Sequence, residues 1–307
     1  MLLIGIDEAG YGPLLGPFCH GYVALRVPDA DASPCVWTLL APAIARFPAE
    51  GEALAIDDSK RIYSAANGLE LLKRGVCAFL HRERAQFLAA LLEAEELAAL
   101  EAEPWGRGAD CERGGVHERL NAALKAARAE VVAYGARAQS AADFNAALKK
   151  TEAANKADLN ASRMCGILGT LLKRAAPGER VHAVIDRLGG RKFYSDCLQS
   201  IFPDTVIWVE EESKLVSAYR IELEDRTIRV EFRVGAELQS LPVALGSMAA
   251  KLTRELCMAR FNAFFLAHQP DLVPTAGYNT DAKRFLRETK VLRKELGIRD
   301  EALIRCK

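Results

Sequence analysis

The sequence predicts an α/β fold built on a mixed sheet, and three observations carry that expectation. Short apolar runs such as Leu2-Leu3-Ile4-Gly5-Ile6 and Val181-His182-Ala183-Val184-Ile185 alternate with stretches at helical spacing, such as Leu69, Leu72, Val76 and Leu80. Tyr219 to Leu223 and Ile228 to Val234 alternate apolar and charged residues around Asp225-Arg226 and read as a hairpin, so the pairing is not purely parallel. Half of the 307 residues are apolar and 27% are charged, a balance that buries a sizeable core and excludes general disorder.

Taken in order, Leu2 to Ile6 is a buried strand that runs into acids and glycines. A turn-rich loop (Gly10, Gly12, Pro13, Gly16, Pro17) leads to a second strand around Phe18 to Leu25. Pro28 to Pro34 reads as a loop, Leu54-Ala55-Ile56 as a short apolar piece entering Asp57-Asp58-Ser59-Lys60, and about Ser64 to His81 as a helix. Residues 82–127 change character. Leucines, alanines and glutamates interrupted by Gly106-Arg107-Gly108 and Gly114-Gly115 suggest a helical insertion with a glycine-rich linker. Glu130 to Ala138 then reads as a strand, and Ser140 as the N-cap of a helix through Lys150. Another helix is expected from about Ala157 to Arg174, a strand from Val181 ending on Asp186, a helix over Arg191 to Ile201, and a strand at Val206 to Val209. Glu210-Glu211-Glu212 reads as a solvated loop, and from about Pro242 the chain is mostly helical apart from Pro270 to Gly277. The expected organisation is one core spanning 1–307, with the insertion at 82–127 and a helical region at 242–307.

Forty-one basic and forty-one acidic side chains give zero net charge, so any affinity for nucleic acid has to come from a local patch. The eight cysteines contain no C-x-x-C pair and the five histidines show no ligand spacing, which excludes a readable zinc site. In a chain of this length the cysteines are expected to be reduced thiols of a cytoplasmic protein. Met1-Leu2-Leu3-Ile4 leads straight to Gly5 and Asp7 without a leader pattern, and no apolar run is long enough to cross a membrane.

The chemistry concentrates on carboxylates. Asp7 and Glu8 end a buried strand, where acids beside apolar residues are costly unless solvated or paired, so a bound cation is a natural partner. An ordinary strand followed by an acidic turn explains the pair as well. Asp186 repeats the pattern at the end of its own strand, where an N-cap role for the next helix is the competing explanation. Glu255 lies on a helix rich in small residues (Ala244, Gly246, Ser247, Ala249, Ala250) that can approach a sheet closely; a solvent-facing glutamate paired with a lysine or arginine is the alternative. Gly189-Gly190-Arg191-Lys192 is a candidate phosphate-binding turn.

Gly5-Ile6-Asp7-Glu8-Ala9-Gly10-Tyr11-Gly12-Pro13-Leu14-Leu15-Gly16-Pro17 closely resembles the opening motif of the type 2 ribonucleases H, the HII and HIII branch. Asp58-Ser59-Lys60, Leu159-Asn160-Ala161, Pro242 to Glu255 with Lys251 and Arg254, and Gly277-Tyr278 with Thr280 resemble later segments of that family in the same order. The resemblance implies a ribonuclease H-like mixed sheet flanked by helices. It also implies catalytic and metal-binding carboxylates at Asp7, Glu8, Asp186 and Glu255, and substrate contacts from Gly10, Tyr11, Gly12, Ser59, Lys60 and Tyr278. The implied reaction is hydrolysis of the RNA strand of an RNA/DNA hybrid by a monomer. Two Mg²⁺ or Mn²⁺ ions would serve it by activating water, neutralising the phosphorane and supporting the leaving oxygen. Family members carry Arg or Lys where this chain has Tyr11. Two other readings compete: a catalytically silent module of the same fold binding nucleic acid or protein, and an ATP-handling protein of the actin and sugar-kinase type. The latter needs a second Asp-Gly phosphate loop, for which Asp186-Arg187-Leu188-Gly189-Gly190 is a poor match.

Overall fold

In the computed structural model, residues 1–29, 34–63, 68–80, 87–108, 117–150, 155–187 and 189–306 are described. The described residues form nine strands: β1 (Leu2–Ala9), β2 (Phe18–Arg26), β3 (Ile44–Ala45), β4 (Leu54–Ala55), β5 (Glu130–Gln139), β6 (Val181–Asp186), β7 (Ile207–Glu212), β8 (Val216–Glu222) and β9 (Thr227–Arg233). Seven of them form one mixed sheet in the order β5-β2-β1-β6-β9-β8-β7, while β3 and β4 make a separate parallel pair. β1 runs parallel to β6 and β6 parallel to β9; the other pairings in the large sheet are antiparallel. The neighbouring parallel strands β1 and β6 therefore bring Asp7 and Asp186 to one end of the sheet.

Each face of the sheet is buried by a helix whose sequence suits it. On one side lies the 28-residue helix Leu241–His268, which enters with proline in its first turn. Its small residues let backbone meet backbone: a Cβ on Gly5 would stand 2.1 Å from the carbonyl carbon of Pro242, and one on Gly21 would stand 1.9 Å from the Gly246 carbonyl oxygen. On the other side, Lys156–Leu172 begins at Asn155, whose side chain accepts from the backbone N–H groups of Ala157 and Asp158. It buries Ala161, Met164, Leu168 and Leu171 among Leu2, Ile4, Ile6, Ala183 and Ile185 of the sheet. Ser140 caps Ala141–Lys149, accepting from the Asp143 N–H as expected.

Within 82–127, the described residues form helices Phe87–Leu91, Ala94–Glu101 and Glu118–Ala126, whose leucines join the core under the long helix. Gly114-Gly115, the start of the helix expected from Ser64, and Leu188 lie outside the described residues. Four expectations need correction. β1 continues to Ala9, so Asp7 and Glu8 sit within the strand, paired to Gly21 and His20 of β2, rather than beyond its end. Only Ser195–Gln199 of the 191–201 stretch is helical. Glu210, Glu211 and Glu212 belong to edge strand β7, where Glu210 meets Arg220 and Arg229 and Glu212 accepts from the Tyr219 hydroxyl. Cross-strand pairing supplies order that the acidic run itself does not signal. Finally, Cys165 and Cys197 are joined by a disulfide, because the two helices that carry them pack with Cα atoms 6.4 Å apart. Among the described residues, cysteines 19, 35, 77, 257 and 306 form no disulfide. No helix among the described residues is long and apolar enough to cross a membrane.

Candidate metal centre

Asp7, Glu8 and Asp186 converge so that one carboxylate oxygen from each lies within 4.8 Å of the others. Asp7 is buried beneath the long helix, and its carboxylate accepts the backbone N–H of Glu8 at 2.6 Å. Ser247 on that helix hydrogen-bonds the Asp7 carboxyl, and its hydroxyl also lies 3.0 Å from the Ser59 hydroxyl. Asp186 takes the backbone N–H of Ala236 at 3.1 Å. A fourth acid follows immediately: Glu237, in the turn Ala236–Leu238 after β9, hydrogen-bonds Asp186 and presses electrostatically on Asp7 and Glu8. Gly235 makes this turn with φ +64, a conformation that favours glycine.

The electrostatics are those of crowded, poorly solvated anions. Burial first, then the charges of Glu8 and Asp186, hold the Asp7 carboxyl well above its ordinary value. Burial and Asp186 push Glu8 up to about 7, against the opposing pull of Lys60. Glu237 is likewise pushed up to about 7, first by burial and then by Asp186. Glu237 therefore holds a proton more readily than a solvated glutamate does. Lys60 is exposed beside this cluster and feels the charges of Asp58, then Asp7, Glu237 and Asp186. Glu8 Oε2 and Glu237 Oε2 are buried without hydrogen-bond partners among the described residues. Hard carboxylate oxygens, crowded and under-satisfied, suit a divalent cation.

Glu255 is not in this group. It lies two turns past Ser247, roughly 12 Å along the helix. Its carboxylate is taken by Lys251 at 2.7 Å and by the Tyr63 hydroxyl at 3.3 Å. Among the described residues Glu255, expected as the fourth ligand, is not brought into the group of Asp7, Glu8 and Asp186, whereas Glu237 lies beside Asp186. The signal that could have found Glu237 is an acid just past the end of a strand adjoining the Asp186 strand, behind a turn glycine.

The remaining expected residues surround the cluster. Ser59 and Lys60 open the short helix Ser59–Ile62, whose first turn is capped by Asp58 accepting from the Lys60 N–H at 2.9 Å. Gly10 has φ +86, and a Cβ there would meet the Arg254 side chain at 2.7 Å. A Cβ on Gly12 would meet nothing within 4 Å. The loop between them is held from below by the buried Arg305, which donates to the carbonyls of Gly10 and Pro13, while Arg254 beside it donates to the Ala276 carbonyl at 2.8 Å. Tyr11, 36% exposed, has its carbonyl taken by Lys156 Nζ at 3.0 Å, and that ammonium also stands 5.3 Å from the ring centroid. The loop thus gains from Lys156 a cation that its own sequence lacks. Tyr278 is 52% exposed and backed by Arg254, 5.6 Å from its ring centroid. Gly189 and Gly190 are exposed and show no contact with the acids.

No protein-family model and no curated protein matches the chain. Solved structures that resemble it include type 2 ribonucleases H. They include the ribonuclease HII of Archaeoglobus fulgidus in complex with PCNA, at 15% identity and a TM-score of 0.42, covering 100% of this chain and 95% of that one. They also include ribonuclease H2 of Pyrococcus horikoshii, at 14% identity and 0.44, covering 99% and 92%. A third is Bst ribonuclease HIII in complex with Mn²⁺, at 16% identity and 0.47, covering 99% of this chain but 66% of that protein. At those scores the likeness adds no weight beyond what the strand order and side chains of this chain provide.

Proposed function

We propose that this protein is a divalent-metal-dependent endonuclease that hydrolyses the RNA strand of RNA/DNA hybrids, leaving 3′-hydroxyl and 5′-phosphate ends. The observation that carries the reading is the convergence of Asp7, Glu8 and Asp186, with Glu237, at the ends of parallel strands. These four carboxylates would hold Mg²⁺ or Mn²⁺, two ions per site. Metal bound there supplies an activated water and neutralises charge on the scissile phosphate.

The chain's own residues do the rest. Asp7 is oriented by the Ser247 hydroxyl and the Glu8 N–H, so its oxygens are held at one place on the sheet end. Glu237, hydrogen-bonded to Asp186 and raised by burial, would join the others in holding the ions, and binding there would favour its ionised form. Lys60 stands where a phosphate approaching the acids would meet a positive charge. The loop Gly10-Tyr11-Gly12, with Lys156 on its carbonyl, offers backbone N–H groups and a flat ring to a sugar, and Tyr278 offers a second ring. Cutting of a 5′-labelled RNA/DNA hybrid in Mn²⁺ or Mg²⁺, with all-DNA and single-ribonucleotide duplexes as controls, tests the reading. Metal-dependent RNA-strand nicking is expected. Binding of the hybrid without cleavage in either metal would instead mean a silent binding module.

A further inference from the structure

The turn that carries Glu237 is three residues long, and turns of this kind have weak hydrogen bonds of their own. The Leu238 N–H reaches the Gly235 carbonyl at 3.1 Å and the Gln239 N–H reaches the Ala236 carbonyl at 3.0 Å. Two bonds from outside the turn flank Glu237. Before it, the Ala236 N–H donates to the Asp186 carboxyl at 3.1 Å. After it, Arg46 donates from Nη2 to the Leu238 carbonyl at 2.7 Å, joining residues 192 apart in the chain. A carbonyl at the end of a helical turn has no partner within the turn, so the guanidinium satisfies a group that the local chain leaves open. Arg233 also donates to the Gln239 side chain at 2.9 Å, but it ends β9 and is tied to the same stretch of chain that it holds.

Arg46 is itself held in place. It follows β3, and its guanidinium carbon lies 3.8 Å from the centroid of the Trp37 ring. Trp37 is buried in the helix Val36–Leu39 and donates from Nε1 to the Ile56 carbonyl, just past β4, at 2.9 Å. Asp57, completely buried, stands 3.9 Å from Arg46 Nη1. Asp57 also accepts the backbone N–H groups of Phe47 and Asp58 and, at 2.7 Å, the Arg61 guanidinium. A planar guanidinium covered on its face and drawn to an anion at one edge is pre-aimed, and its Nη2 meets Leu238. We propose that Arg46 is a positioning residue: from the β3–β4 pair it clasps the Ala236–Leu238 turn, and so keeps the Ala236 N–H on Asp186 and Glu237 beside the other acids. The proposal rests on the reading of these acids as a metal centre given above.

Side-chain chemistry supplies the test. Methionine keeps an unbranched apolar stem for the Trp37 ring and donates nothing, whereas lysine keeps one charged donor. The Arg46 side chain is 42% exposed, so neither change opens the core. Arg61→Met is the control, because Arg61 bonds Asp57 and the Phe47 carbonyl without touching the turn. Mn²⁺ affinity is measured by isothermal titration on the metal-free proteins, with urea unfolding, amide hydrogen exchange and hybrid cleavage alongside. Arg46→Met is expected to bind Mn²⁺ about tenfold more weakly, Arg46→Lys to stay within about threefold of wild type, and Arg61→Met to keep wild-type affinity. Amide exchange over residues 235–240 should quicken about tenfold in Arg46→Met and stay unchanged in Arg61→Met. Wild-type affinity or unchanged exchange in Arg46→Met, an Arg46→Lys as weak as Arg46→Met, or equal weakening in Arg61→Met would each overturn the proposal. Wild type that binds Mn²⁺ but cuts no hybrid defeats the proposed activity and leaves the Arg46 clasp standing; wild type that binds no Mn²⁺ defeats both.

Discussion

Two glutamates compete for the fourth place at the acidic cluster, and their surroundings separate them. Glu237 shares a hydrogen bond with Asp186, whereas Glu255 is neutralised by Lys251 and Tyr63. Glu237→Gln should therefore lower hybrid cleavage by roughly a hundredfold or more, and Glu255→Gln by less than about tenfold. The reverse ranking in steady-state kinetics would restore Glu255 to the site. Asp7→Asn should abolish cleavage while leaving the metal-free protein as stable as before or slightly more so, since it removes a buried charge from repelling neighbours; a variant that keeps most of its turnover would remove Asp7 from the ligand set. A pH effect follows from Glu237. Its folded pKa of about 7 lies above the ordinary 4.5, so the folded state holds the proton more tightly than the unfolded chain does. The stabilisation is whole below about pH 4.5 and is lost as pH rises through about 7. Wild type should lose of order 1 kcal/mol relative to Glu237→Gln across that window in metal-free urea titrations. Using the difference cancels His20, whose lowered pKa acts in the opposite direction.

The elements themselves were legible to differing degrees. β1, β6 and the β8–β9 hairpin announce themselves by apolar runs and alternation, and that is why Asp7, Glu8 and Asp186 could be singled out. Glu237 could not, because it lies in a three-residue turn without periodicity, and the alanine-rich helix drew attention to Glu255 instead. Lys156 was equally hidden: its bond to Tyr11 joins residues 145 apart in the chain. What the small residues of the long helix do signal is close approach, and the approach is to Gly5 and Gly21. It carries Ser247 onto Asp7, so the same contact builds both fold and site. Gly21→Ala puts a methyl 1.9 Å from the Gly246 carbonyl oxygen, which no side-chain rotation relieves. A loss of about 3 kcal/mol or more in urea unfolding is expected, or failure to fold. A loss under about 1 kcal/mol would mean that helix and sheet are not in backbone contact.

For the whole molecule, zero net charge constrains how a polyanion can be held. Most described arginines are spent internally: Arg305 ties down the glycine loop with Arg254 beside it on the Ala276 carbonyl, Arg187 holds backbone carbonyls of the β7–β8 turn, and Arg229 and Arg233 neutralise the buried Glu231. Lys60 and Lys156 are the cations that stand at the acids and at the Tyr11 loop, and Lys251 follows one turn along the helix from Ser247. Lys251 has to leave Glu255 to reach a phosphate, so a hybrid seated on the proposed site would neutralise about two to three phosphates rather than a long track of them. Counterion release scales with that number, at about 0.9 per phosphate, so the logarithm of hybrid affinity should fall with the logarithm of salt at a slope near −2 to −3. Lys156→Ala should flatten the slope by about one while weakening hybrids of different sequence equally, because a phosphate contact reads no bases. Binding assays run in Ca²⁺, which occupies carboxylate sites, over several salt concentrations would measure both quantities. A slope of −6 or steeper would mean that a larger basic surface, away from these three lysines, holds the nucleic acid.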